Sequence, residues 1–225
     1  MKGKDTAIVL ASGGLDSCVT AAIANETYDL ALLHINYGQR TESKELSAFH
    51  EIAAYYKVPA EQILIANIDY LKKIGGSSLT DTMIPVQEAE PDSKEIPTTY
   101  VPFRNTLFLS VAVSWAEVIG AEKVFIGAVS HDTPGYPDCK PFYYEVFNKL
   151  IDAGTKPETR IAVETPLIFK TKAEIVTLGI SLKAPLHLSW SCYKNTDKAC
   201  GVCNSCYLRR KAFEESGYKD PVEYA

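Results

Sequence analysis

No apolar run in the 225 residues approaches the roughly 18–20 consecutive positions that a membrane-crossing helix needs, so no membrane partner is expected. Positive charge is not in excess either: 23 Lys and Arg face 28 Asp and Glu, a formal net charge of −5. That balance argues against direct binding to a nucleic-acid backbone over a broad surface, and leaves room only for a local basic groove. The apolar stretch at residues 7–11 is too short for a secretory core and runs straight into Ser12-Gly13-Gly14. It reads as a first strand, and the expected location is the cytoplasm. The chain also lacks internal repeats and low-complexity segments.

Hydrophobic residues make up 46% of the chain, enough for a sizeable core in one domain with at most a small appendage. Strand and helix patterns alternate. Residues 6–11 and 28–36 read as short buried strands, residues 62–68, 122–129 and 160–164 as further strands, and residues 16–24, 42–57, 105–119, 141–153 and 171–181 as helices. Such alternation predicts an α/β fold with a doubly wound, mostly parallel sheet. Residues 1–184 form the expected main domain, with residues 185–225 as a small segment packed on it. Residues 72–102 hold Gly75-Gly76 and several prolines and are long for a plain connection, so a functional loop or lid is expected. Ligands on such sheets bind beyond the carboxyl ends of the strands. The chemistry is therefore sought in residues 12–17, 37–41, 69–102 and 130–140.

The first of these loops runs Leu10-Ala11-Ser12-Gly13-Gly14-Leu15-Asp16-Ser17, from a buried strand into a helix. The glycines allow main-chain N–H groups to turn inward as an anion nest, the two serines add hydroxyl donors, and the helix points its positive end at the same place. Phosphate binding follows. The loop has no lysine of the Walker A type and no third glycine of a dinucleotide fingerprint. Asp16 is either a magnesium ligand or a helix N-cap. Cys18, inside the helix, suits packing better than nucleophilic attack.

Four of the six cysteines, Cys192, Cys200, Cys203 and Cys206, fall within fifteen residues. Crowding of this kind suggests a metal rather than disulfides in a cytosolic chain. Four thiolates suit a closed, structural zinc site better than an iron–sulfur cluster. The neighbouring Arg209, Arg210 and Lys211 read as a solvated helix face, with a phosphate or partner role as the alternative.

The Ser-Gly-Gly-Leu-Asp-Ser loop resembles that of the PP-loop ATP pyrophosphatases, in which it holds the pyrophosphate released when AMP is transferred. Together with Gly135-Tyr136-Pro137-Asp138-Cys139, Val101-Pro102-Phe103-Arg104-Asn105, Glu164-Thr165-Pro166-Leu167 and Lys172-Ala173-Glu174, the loop and the cysteine spacing make the chain similar to the QueC family of queuosine-precursor biosynthesis. Phe103 stands where that family's pattern has glycine. The resemblance spans nearly the whole length. It implies an AMP-forming carbon–nitrogen ligase that turns 7-carboxy-7-deazaguanine, ammonium and ATP with Mg2+ into a nitrile, working as a homodimer with one zinc per subunit. It extends the expected nucleotide contacts through Cys18, Val19 and Thr20.

Within that frame Asp132 and Asp138 are candidates for the guanidine-like edge of the deazapurine, with turn capping as the alternative, and Tyr136 for stacking on the ring. Arg104 is a candidate for neutralising a carboxylate or phosphate. Lys172 is a candidate for charge on the transferring phosphoryl group. The alternatives for both are ordinary surface cations near helix starts. Two rival readings remain at this stage: a tRNA-modifying relative, which would need a larger basic surface, and a nucleotide-sensing module without catalysis.

Overall fold

The run Thr6-Ala-Ile-Val-Leu10 is apolar without alternation because it becomes a central strand covered on both faces. The structure, a computed structural model, describes residues 4–90, 95–130 and 136–225. Five parallel strands, β1 (Thr6–Leu10), β2 (Asp29–Asn36), β3 (Ile63–Asn67), β4 (Lys123–Ile126) and β5 (Ala162–Glu164), form one sheet in the order β3-β2-β1-β4-β5. The helices are α1 (Leu15–Thr27), α2 (Glu42–Tyr55), α3 (Tyr70–Ile74), α4 (Arg104–Ile119), α5 (Pro141–Gly154), α6 (Lys172–Ser181) and α7 (Asn204–Ser216).

Side chains alternate across the sheet. Ile8 and Leu10 join a core cluster with Leu109 and Ala112 of α4 and Phe147 of α5. Ala7 and Val9 join one with Ala21 of α1 and Phe49 of α2. Fully buried side chains such as Ile8, Leu109 and Phe49 each stabilise the fold by about 1.5–3 kcal/mol relative to exposure. The chain builds β1 to β3 toward one edge, then returns to place β4 on the other side of β1. This reversal opens a crevice above the carboxyl ends of β1 and β4, the place where open parallel sheets bind ligands.

Several expectations change in detail. The fourth strand ends at Ile126 rather than at residue 129. A Cβ on the next residue, Gly127, would lie 2.9 Å from the backbone carbon of Asp16, so the chain leaves the ladder where it meets the start of α1. Residues 77–80 are packed down rather than standing free as a lid. Ser77, Ser78, Leu79 and Thr80 are buried. The Arg40 guanidinium donates to the carbonyls of Ser78, Asp81 and Ile84 at 2.6, 2.9 and 2.7 Å, pairing acceptors that an irregular segment would otherwise leave open. Arg209 is no solvated cation: it is 2% exposed and pairs with Asp220 at 2.9 Å. Its neighbour Ala212 and then Phe213 pack α7 against Leu15 and Val19 of α1.

Phe103 caps α4 in the left-handed region, φ 60° and ψ 20°. The glycine expected at this position thus has a backbone reason. A left-handed non-glycine residue costs about 1–2 kcal/mol, whereas glycine adds roughly 0.5–1 kcal/mol of unfolded-chain entropy. The ring is 62% exposed and loses little packing. Phe103→Gly is therefore expected to raise stability by about 0.5–1 kcal/mol, read as an increased urea midpoint. A fall of the midpoint would show that the exposed ring contributes more than the strain removes.

Candidate active site

The loop between β1 and α1 is shaped by committing its carbonyls. The Ala11 carbonyl accepts from His34 Nδ1 at 3.0 Å, the Gly13 carbonyl from the Trp190 N–H at 2.8 Å, and the Gly14 carbonyl from Ser17 Oγ and the Cys18 N–H, both at 3.0 Å. Gly13 has φ 82°, and a Cβ there would lie 2.6 Å from the Glu45 carbonyl oxygen of α2. Only glycine fits both constraints. The N–H groups of the first turn of α1 have no intrahelical acceptor and carry the positive end of the helix dipole. Ser12 Oγ lies 3.1 Å from Ser17 Oγ at the same spot. The arrangement suits phosphate oxygens.

His34 is 1% exposed and lies 5.0 Å from the Phe49 ring, so burial holds its pKa below the usual value. Glu45 pulls the other way and His50 reinforces the shift. Between that lowered pKa and about 6.5, the unfolded chain binds a proton that the folded one refuses. Stability is accordingly complete above pH 6.5 and falls as the pH drops, by at most about 1.4 kcal/mol per unit from this residue. In His34→Asn, whose amide can still reach the Ala11 carbonyl, this part of the slope should vanish in urea unfolding between pH 7 and 5. An unchanged slope would remove His34 as its source.

Asp16 is not the N-cap; Gly14 is, without a side-chain cap. Asp16 sits in the first turn of α1, where Oδ2 accepts from Lys172 Nζ at 2.6 Å, while Oδ1 is buried with no protein partner. Lys172 is no solvated lysine: its side chain is 16% exposed and it begins α6 behind a Thr171–Glu174 capping box. Cys18, Val19 and Thr20 turn into the core with no exposure, away from the expected nucleotide contacts. Burial pushes the Cys18 thiol up to about 12, which leaves it a packing group.

A cavity of about 280 Å³ joins this loop to a second wall made by Tyr37, Arg104, Phe108, Tyr136 and Tyr193. Arg104 Nη1 donates to the Tyr37 hydroxyl at 3.0 Å, and its guanidinium lies 5.3 and 5.6 Å from the Tyr37 and Phe108 ring centres. Among the described residues no carboxylate reaches ion-pair distance of it. Burial raises the Tyr37 hydroxyl to about 12, so it stays a neutral partner. Tyr136 lines the cavity, its hydroxyl 2.7 Å from Thr99 Oγ1. Asp138 does not line it. Asp138 is 5% exposed, and its Oδ2 accepts the Asn105 N–H at the start of α4, so the turn-capping alternative describes it. Asp132 lies outside the described residues. Tyr37 falls in the carboxyl-end loop at residues 37–41, whereas Phe108, Tyr193 and Trp190 carried no sequence signal beyond being aromatic.

The four cysteines converge, their sulfurs all within 4.8 Å of one another. Tetrahedral thiolates at ~2.3 Å from one ion stand ~3.8 Å apart, close to this spread. The N–H groups of Lys194, Asn195 and Cys200 donate to Cys192 Sγ at 3.4, 3.3 and 3.3 Å, and that of Cys203 to Cys200 Sγ at 3.4 Å. Cys203 and Cys206 as donors, helped by the Cys200 and Asn195 amides and against burial, hold the Cys192 thiol below its usual range. The group can hold a metal ion.

The family model described as "Queuosine biosynthesis protein QueC" matches residues 6–217. The chain belongs to the QueC family. Two curated relatives named 7-cyano-7-deazaguanine synthase agree with this. The one from Chlorobium chlorochromatii is 58% identical over 97% of this chain and 95% of its own. The one from Chlorobium phaeobacteroides is 59% identical over 97% and 96%. Among solved structures, the U34-tRNA thiolase NcsA from Methanococcus maripaludis with its [4Fe-4S] cluster aligns at a TM-score of 0.53 and 16% identity, over 96% of this chain and 65% of that one. At that identity the likeness shows the fold alone. Among the described residues of this QueC-family chain, no helix is long and apolar enough to cross a membrane.

Proposed function

We propose that this protein is an AMP-forming ligase that converts 7-carboxy-7-deazaguanine and ammonium into 7-cyano-7-deazaguanine with ATP. Full-length relatives of that name at 58 and 59% identity carry the reading, and one cavity bordered by an anion loop and an aromatic, cationic wall fits it. A carboxylate oxygen attacks the α-phosphorus, and pyrophosphate leaves into the loop. Ammonia then adds to the activated carbon and AMP departs, giving an amide. The amide oxygen attacks a second α-phosphorus, and loss of AMP with two protons leaves the C≡N group. Lys172 steadies charge on the transferring phosphoryl group, and Arg104 takes the substrate carboxylate. Tyr37, Phe108 and Tyr136 fit a flat ring. The free oxygen of Asp16 suits Mg2+ accompanying ATP. The four thiolates suit one structural zinc per subunit, and the active form is a cytoplasmic homodimer. The test is mass spectrometry after incubation with ATP, ammonium and 7-carboxy-7-deazaguanine. The nitrile is expected only when all three are present; ATP consumption without nitrile or amide would overturn the reading.

A further inference from the structure

The four-cysteine group and the nucleotide loop are far apart in sequence yet share one residue. Trp190, 7% exposed, lies in the same apolar cluster as Cys192, Cys203, Cys206 and Ala48 of α2. Its indole N–H donates to the Cys192 carbonyl at 3.2 Å, and its backbone N–H donates to the Gly13 carbonyl at 2.8 Å. Lys44 Nζ sits 4.9 Å from the ring centre, on the α2 side. Gly13 is therefore wedged. A Cβ there would meet the Glu45 carbonyl at 2.6 Å and Ala48 Cβ at 3.0 Å, and the Gly13 carbonyl is taken by the Trp190 N–H.

The strap carrying Trp190 is itself fixed from both ends. Arg209 donates to the Leu186 carbonyl at 3.2 Å, Ser189 Oγ at 2.8 Å and Ser191 Oγ at 3.3 Å. Beyond Ser191 the strap ends in Cys192, one of the four sulfur donors. The Gly13 carbonyl is committed to the Trp190 N–H and so is not available to rotate. Glycine peptides rotate easily, and a carbonyl turned inward would set its oxygen against phosphate oxygens.

We propose that Trp190 is a positioning residue through which the metal-bound cysteine group holds the loop in its anion-binding shape. The metal site then does more than staple the tail: its occupancy sets nucleotide affinity. This rests on the loop being the ATP site, as proposed above.

Coupling of this kind is reciprocal, so it can be read from the metal side in unmodified protein. The probe is α,β-methylene-ATP, which cannot release pyrophosphate, with metal loss followed by a chromogenic chelator in excess. Saturating probe is expected to raise the protein's affinity for its metal about tenfold, within the ~5–150-fold span of such couplings. Stripping the metal is expected to weaken probe binding by the same factor in calorimetry. In Trp190→Ala, which keeps the backbone N–H but removes the ring packed on the cysteines and its indole donor to the Cys192 carbonyl, the factor should fall toward one while one metal ion per chain is retained. Trp190→Phe, which restores most of the ring volume, should recover part of it, and KM for ATP should rise more than kcat falls. A coupling factor of one in the unmodified protein overturns the proposal, as does full coupling in Trp190→Ala. Failure of unmodified, metal-loaded protein to bind the probe overturns instead the ATP reading on which it rests.

Discussion

Cys203→Ser is expected to release the metal and to lower the melting temperature by roughly 8–16 °C. Cys203 is fully buried, opens α7 as its N-cap, and bridges Glu88 across to residues 75–90. A serine hydroxyl is a far weaker metal ligand than a thiolate, and three remaining sulfurs leave the shell open. Metal held at a thousandfold its Kd stabilises the folded state by about 4.1 kcal/mol, all of it lost with the ion. For a chain of this size each kcal/mol moves the transition by about 2–4 °C. The sheet keeps its own core on both faces, so the loss should appear as early melting of α7 and the strap before the sheet unfolds. Elemental analysis with calorimetry checks this. Zinc also predicts a colourless protein, and a brown one with a visible charge-transfer band would replace zinc by an iron–sulfur cluster. Full metal content with unchanged melting in the serine variant would remove Cys203 from the ligand set.

Arg104→Gln is expected to separate the two halves of the reaction. Arg104 faces a cavity and, among the described residues, donates only to a neutral tyrosine, so its charge is available to an anionic substrate. Removing one member of a buried, hydrogen-bonded charge pair costs about 2–5 kcal/mol, which corresponds to roughly 30-fold to several thousandfold. The acid carries the matching negative charge, whereas the amide intermediate does not. kcat/KM for the acid should thus fall about 100-fold or more, and for supplied amide about tenfold or less. Glutamine keeps a neutral amide donor at this position without the charge. Equal losses for both substrates would move Arg104 from the carboxylate to the phosphates.

Local patterns made the scaffold readable. Buried strands without alternation, the glycine turn at residues 13 and 14, and the thiolate spacing each have a local cause, and each lies where those patterns place it. Even the oddity at Phe103 was visible, and the left-handed backbone explains why glycine is expected there. What the sequence hid depends on contacts between distant segments. Arg209 reads as a surface cation until Asp220 folds back over it. Asp138 reads as a ligand contact until α4 presents its N-terminus to it. Trp190 is one apolar residue among many until its N–H meets Gly13 across the crevice. Tyr37 and Phe108 likewise become one wall only because β2 and α4 converge beside β1.

Counting nucleotides per nitrile tests the central claim most directly. With ATP labelled at the α-phosphate and the reaction quenched before exhaustion, each nitrile formed from the acid should accompany two AMP and two pyrophosphates. Each nitrile formed from supplied amide should accompany one of each. On this account one pyrophosphate-holding loop serves both activations, since each would transfer AMP to an oxygen on the same carbon. Appearance of ADP and phosphate, or an amide that never becomes nitrile, would contradict the account.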